Sequence, residues 1–285
     1  MHPRGTTRQR LTGSELHAYW QRLSNDFLAD SEDGFEVICY AGMPDWFNRF
    51  MHRYQVKAFE RLVTSERFAG RDVLDVGTGV GRWARWFASR GASVVGIDIE
   101  PDRIERARAL GGGPRYDIMA ADALRFPDSS FDAVNSVTVL QHIPDDTRTA
   151  AIAEMARVLR PGGRVVLFEN TDIADDAPHV FPWTPRRWEA AFAAHGLSLN
   201  RTVGDQYTPL IRLMKKAHRV SRRSDARTEL DALKSGHVTP RGRLMLLALR
   251  AAVVASYPIE EAARFLPSGA AAITGFLFTK ESPPR

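Results

Sequence analysis

One cysteine, Cys39, stands in a chain of 285 residues. A single thiol excludes an internal disulfide framework, and it leaves little material for a structural zinc site, so no metal is expected. Long apolar runs are missing as well. The most apolar window, Leu244 to Ala255, is interrupted by Arg250 and falls short of the roughly 20 residues needed to span a bilayer. The first thirteen residues, Met1 to Gly13, are basic and polar and lack the apolar stretch of a signal peptide, so a soluble chain in the reducing cytoplasm is expected. No internal repeat or low-complexity tract is visible. Nor is there an RRM, KH, zinc or helix-turn-helix signature to support nucleic-acid binding.

What is present suits an α/β domain with additions: 44% of residues are hydrophobic and 26% charged, enough to bury a full core. The net charge of +5 is unevenly spread. Residues 201 to 250 hold twelve Lys or Arg against four acids, a local excess of +8 that leaves the remaining chain at −3. The basic character therefore belongs to one segment. It reads either as a solvated helix face or as a surface for an acidic partner.

The chain is organised around Val73 to Gly81, V-L-D-V-G-T-G-V-G. Val73, Leu74 and Val76 read as a short buried strand, and glycines at 77, 79 and 81 follow at every second position before a helix begins at Arg82. Glycine permits both the sharp turn and a close approach of ligand to backbone, so a cofactor is expected there. The dinucleotide fingerprint is G-x-G-x-x-G; here the spacing is G-x-G-x-G, with Asp75 two residues before the first glycine. A second buried strand, Ser93 to Ile99, ends in Asp98, 21 positions after Gly77. An acid at that point can accept hydrogen bonds from both hydroxyls of a ribose, or it can cap the helix opened by Glu100-Pro101-Asp102.

The glycine spacing with its preceding acid resembles the first motif of the class I S-adenosylmethionine-dependent methyltransferases, and further segments follow in that family's order. Ala120-Ala121-Asp122-Ala123 resembles the adenine-side segment, Phe131 to Val137 with Leu140-Gln141-His142-Ile143 the fourth-strand motif, and Leu159-Arg160-Pro161-Gly162-Gly163 the turn into the fifth strand. The resemblance is to the broad small-molecule, type 11-like kind. It implies S-adenosyl-L-methionine as cofactor and S-adenosyl-L-homocysteine as product. The cofactor residues it implies are Asp75, Gly77, Thr78, Gly79, Asp98, Ile99, Asp122, Ala123, Val137 and His142.

Strands are expected at 72–76, 93–98, 115–119, 132–137, 164–169 and 197–203, and helices at 80–90, 101–110, 146–159 and 184–194. Such alternation implies a doubly wound parallel sheet with ligands in the crevice beyond the strand C-termini. Ala270 to Phe278 supplies one more strand, and the resemblance makes the last two an antiparallel pair at the edge of a seven-stranded Rossmann-like sheet. The divisions are then a disordered tail at 1–13, a helical aromatic-rich cap at 14–68, a core at 69–203 and 269–282, and a basic helical insertion at 204–268 acting as an acceptor-side lid or an oligomer contact. Within the cap, one helix is expected from Ser14 as N-cap and another from about Pro44 to Ser65; the structure of Phe35 to Met43 is left open. Eleven of the chain's 27 aromatic residues fall in this cap. Most read as glue between helices and sheet. Tyr19, Trp20 and Tyr40 are candidates to line the pocket mouth, where ring faces attract a sulfonium.

Methyl transfer is an in-line displacement that needs alignment, exclusion of water and, for some acceptors, a base. His142, after the fourth strand, and Glu169, at the end of the fifth, are the two candidates for that base. Each has a plain alternative, His142 as packing near the cofactor and Glu169 as a loop cap. His179, His195, His218 and His237 read as lone histidines with no visible partner. The leading expectation is O-methylation of a small molecule such as a sugar or specialised metabolite, an acidic or phosphorylated one included. N- or C-methylation, an RNA or protein acceptor, and a non-catalytic nucleotide-binding module are the alternatives, and a homo-oligomer is left open.

Overall fold

The computed structural model describes residues 10–28, 33–35, 45–175, 177–207 and 240–282. Tyr40, His218, His237, the first nine residues of the expected tail and most of the basic insertion lie outside them. Seven strands form one sheet: β1 (Asp72–Val76), β2 (Ser93–Asp98), β3 (Arg115–Ile118), β4 (Phe131–Val137), β5 (Leu159–Asn170), β6 (Leu197–Asp205) and β7 (Ile273–Lys280). Their order is β3-β2-β1-β4-β5-β7-β6. β1 to β5 pair in parallel, and β7 runs antiparallel to β5, Val166 opposite Leu277 and Glu169 opposite Thr274.

Helices α1 (Gly13–Phe27) and α2 (Asp45–Leu62) precede the sheet; α3 (Arg82–Ala88), α4 (Pro101–Leu110), α5 (Asp145–Val158) and α6 (Pro185–Ala193) connect its strands, and α7 (Pro240–Ala263) lies between β6 and β7. The chain divides into two compact units, 1–203 with 273–285, and 204–272. The second contains α7 and a short 3-10 turn at Ser268–Ala270.

Period-2 alternation in the strands sorts the core into two layers. Leu74, Val134, Val165, Leu167 and Phe276 point to the face covered by α5 and α6. Val73, Ala133, Val166, Phe168 and Leu277 point to the face covered by α2 and α3. Both sets are almost wholly buried, which is the pattern of a sheet covered on both sides.

Element ends differ from the sequence expectation where local chemistry overrides periodicity. The first helix is capped at Thr12, not Ser14: the Thr12 amide and hydroxyl both donate to Glu15 Oε2, at 2.8 and 2.7 Å. Helix α3 starts at Arg82, where the glycine spacing places it and two residues inside the broader 80–90 span, because Gly81 is left-handed, φ +81°. A side chain there would be strained and would run into the Tyr116 hydroxyl. Strand β5 begins at Leu159, five residues early, since Phe131 pairs with Leu159 before a bulge restores Ala133 to Arg164.

Candidate active site

The C-terminal ends of β1, β2, β4 and β5 bring the motif residues together. Asp75, in β1, is fully buried; it accepts from Thr78 Oγ1 at 2.6 Å and from Asn135 Nδ2 at 2.7 Å, so the glycine turn is tied to both β1 and β4. Burial pushes its carboxyl up to about 6 despite those bonds. Gly77, at φ +66°, packs directly beneath the Val139 side chain, leaving no room for a Cβ. Asp98 is buried at the end of β2. Its Oδ2 accepts from the Gly79 amide at 2.9 Å and its Oδ1 from the Glu100 amide at 3.0 Å. Beside it, Ile99 and Ile118 stand exposed at the ends of β2 and β3, and Asp122 and Ala123 are exposed just beyond.

Past β4 the backbone turns sharply. Thr138, a β-branched residue, sits at φ +57°, a strained conformation held by its amide donating to Phe168 O at 2.7 Å. Three amides then converge on Glu169: those of Val139 and Leu140 donate to Oε1 at 3.2 and 2.9 Å, and that of Gln141 to Oε2 at 3.0 Å. The other end of the turn is gripped by Arg148, fully buried, whose Nε and Nη2 donate to Ile143 O at 3.1 and 2.6 Å. Its guanidinium lies 4.3 Å from the Trp183 ring and 5.3 Å from that of Trp188. Both oxygens of Glu169 thus serve the turn, and burial raises its carboxyl to about 7.

His142 closes this turn. Its Nδ1 lies 2.7 Å from His179 O, and a carbonyl only accepts, so Nδ1 carries the proton. Nε2 is then the acceptor, 3.1 Å from Gln141 Nε2, so both ring nitrogens are engaged in the neutral form. Burial, with His179 and Arg103 nearby, pushes the imidazole down to about 3.

Helix α1 supplies the facing wall. The Trp20 ring meets His142 edge-on at 4.8 Å, and Tyr19 stacks on His179 at 4.5 Å. His179 stacks in turn on His142 at 5.4 Å. No motif signals this, because His179 comes 37 residues after His142 in an irregular segment. The start of α1 is bolted to the same segment: Arg10 donates to Ala177 O, Val180 O and Asp175 O, and Leu11 N to Pro178 O. Two further pairs were not singled out from sequence. His17 Nδ1 lies 3.3 Å from Glu100 Oε1, and Arg103 Nε donates to Ser24 Oγ at 3.2 Å. Glu100 could have been noticed, two residues after Asp98. The structure thus gathers Asp75, Gly77, Thr78, Gly79 and Asp98 at one turn and His142, Tyr19 and Trp20 at one wall. Val137 is buried at the end of β4.

A glycine turn after β1, an acid closing β2 and a seven-stranded sheet with a reversed β7 define an α/β fold of the Rossmann-like methyltransferase type. Residues 74–167 match the family model described as Methyltransferase domain. Over that third of the chain the match is to a methyltransferase domain, of the kind the sheet order also defines. The chain is 41% identical over 122 residues to methyltransferase GfsG of Streptomyces halstedii, covering 40% of this chain and 42% of that one. It is 34% identical over 151 residues to O-methyltransferase resE of Aspergillus sclerotiorum, covering 50% and 54%. With demethylmenaquinone methyltransferase of Deinococcus radiodurans it shares 38% over 133 residues, 44% of this chain and 54% of the other. The chain thus spans about half the length of these relatives. Among solved structures, the 4+2 cyclase SpnF matches at TM-score 0.60 and 18% identity, over 98% of this chain and all of that one. The YcgJ protein of Bacillus subtilis matches at 0.52 and 20%, over 80% and all. Both likenesses are of fold.

Among the described residues no helix is long and apolar enough to cross a membrane, and no group of three or more His, Cys, Asp or Glu could hold a metal.

Proposed function

We propose that the chain transfers the methyl group of S-adenosylmethionine to a hydroxyl oxygen of a small molecule. The observation that carries the reading is the carboxylate of Asp98. A carboxylate offers about four lone-pair sites; two are taken by the Gly79 and Glu100 amides, one on each oxygen, and one on each remains for a pair of vicinal hydroxyls. Ile99 and Ile118 give an apolar ledge for an adenine ring, with the Asp122 carboxylate beyond it for the exocyclic amine. Asp75, Gly77, Thr78, Gly79, Ala123, Val137 and His142 complete the cofactor's surroundings in this reading. When bound, the cofactor supplies a methyl on a sulfonium whose leaving group is a neutral thioether.

The acceptor would lie against Tyr19, Trp20 and His142, whose ring faces favour a nearby cation. A wall built from one helix bolted to the segment at 175–180 fits a small acceptor better than an RNA or protein surface. His142 and Glu169 have their acceptors committed to Gln141 and to the 139–141 amides, so neither enters this reading as a strong base. The acceptor that suits such a site is one that ionises readily, a phenolic or enolic hydroxyl, with rate gained by alignment and exclusion of water. The similarity to an O-methyltransferase supports the same choice.

The test is transfer of labelled methyl from S-adenosylmethionine into a cell extract fractionated into small molecules, RNA and protein. Label in small molecules that alkaline hydrolysis and mass spectrometry assign to a methyl ether bears the reading out. Label on nitrogen or carbon, or in RNA or protein, replaces it, and tight cofactor binding without transfer to any fraction favours a binding module.

A further inference from the structure

Unit 204–272 carries a surface that the proposed cofactor and acceptor residues do not include. Helix α7 presents a continuous apolar face to solvent. Leu247 is 63% exposed, Val254 58% and Ile259 61%; Ala251, Ala255, Pro258 and Ala262 are exposed on the same side, and Ser256, opposite, is buried. Just past the helix, Phe265 is 81% exposed and Leu266 54%. Leu247 and Val254 are seven residues apart and share the stripe, Arg250 and Tyr257 stand along one edge of it, and Arg264 follows just past the helix end. Arg250 is exposed, and Arg264 reaches Glu261 at 3.2 Å while lying 4.9 Å from the Phe265 ring.

Charge decides what such a face suits. Residues 204–272 carry twelve Lys or Arg and six Asp or Glu, a net +6, while the rest of the chain is slightly negative. Two copies meeting through this unit would bring like charges together, whereas an anionic surface is attracted to it. A helix with one apolar face, cations at its edge, and an exposed phenyl ring at its end is built to lie in a lipid interface rather than across it. We propose that the exposed face of α7 docks this protein on an anionic lipid membrane, with Leu247, Val254, Ile259 and Phe265 entering the acyl boundary and Arg250 at the headgroups. This is independent of the acceptor's identity and is read without methyl transfer.

The experiment is co-sedimentation of the full chain with vesicles of phosphatidylcholine alone and with about a third phosphatidylglycerol, at low and high salt. The expected result is partitioning at least tenfold stronger on the anionic vesicles, weakened by salt. Phe265→Ser and Val254→Glu should each reduce it about tenfold or more, and Arg250→Gln about fivefold. All three positions are exposed, so the variants should keep the wild-type circular dichroism and melting temperature. Absence of wild-type partitioning overturns the proposal. So does partitioning that survives the apolar substitutions, or a concentration-dependent dimer in sedimentation velocity that those substitutions dissolve while vesicle binding is nil.

Discussion

Asp98→Asn separates a ribose acceptor from a loop anchor. In the structure each Asp98 oxygen takes one backbone amide, Gly79 at 2.9 Å and Glu100 at 3.0 Å. An asparagine of the same shape keeps one acceptor oxygen and replaces the other by an NH2 group, which has no lone pair for a hydroxyl and faces one of the two amides as a second donor. Two losses follow. One hydroxyl of a bound ribose loses a hydrogen bond to a charged acceptor, about 1.5 to 3 kcal/mol, which raises Kd roughly 10- to 150-fold. One buried amide also loses its partner, lowering the stability of the free protein by about 1 to 2 kcal/mol. The assay is calorimetric titration with S-adenosylhomocysteine, paired with urea denaturation of the same samples. A stability loss of that size with Kd changed less than about twofold would refute the ribose assignment and leave Asp98 as an anchor of the glycine turn alone.

Replacing His142 by alanine should lower turnover less than about tenfold, because both ring nitrogens are engaged and the imidazole sits near pKa 3; a loss of about 10²- to 10⁴-fold, with a pH–rate limb near 6.5, would mark it as the base instead. Glu169 carries a signed pH dependence. Its carboxyl is held at about 7 by burial, so the folded chain keeps a proton that the unfolded chain releases above about 4.5. Its contribution to stability is therefore full below pH 4.5 and is lost, by about 3 kcal/mol, as pH rises through 7. Denaturation midpoints across that range should show Glu169→Gln with a shallower decline than wild type, and parallel curves would contradict the argument. Gly81→Ala should cost about 2 to 3 kcal/mol through its left-handed φ and the Tyr116 hydroxyl beneath it, with Tyr116→Phe recovering part of the loss. Thermal melts of the single and double variants decide this, since additive losses would show that the two sites do not meet.

The sheet was legible because burial on both faces writes itself locally. Val165 to Phe168 is apolar at every position, and Val73, Leu74 and Val76 are apolar around the single Asp75, a pattern that suits a strand covered on both faces. Glycine at 77, 79 and 81 was legible for a related reason: left-handed backbone leaves few residue choices. Element ends were less so. The cap of α1 fell to Thr12 because Glu15 reaches back to it, a three-residue coincidence that helical periodicity does not register.

The wall opposite the glycine turn was legible only by composition. Tyr19 and Trp20 stood out as aromatic, but what they face depends on contacts 122 and 160 residues away, Trp20 on His142 and Tyr19 on His179. No period or motif encodes such a pairing, since His142 ends a single 3-10 turn and His179 lies in an irregular segment. The same holds for Glu169. At the end of β5 its residue type and place fit a base, and sequence alone could not separate that from a cap. The difference lies in three amides from residues 139 to 141, whose convergence follows from the strained turn at Thr138. A strand end that carries an acid is thus ambiguous until the neighbouring strand's turn is known. Here the turn after β4 passes over the end of β5, and the carboxylate whose place fits a base accepts the amides of residues 139 to 141, immediately before His142.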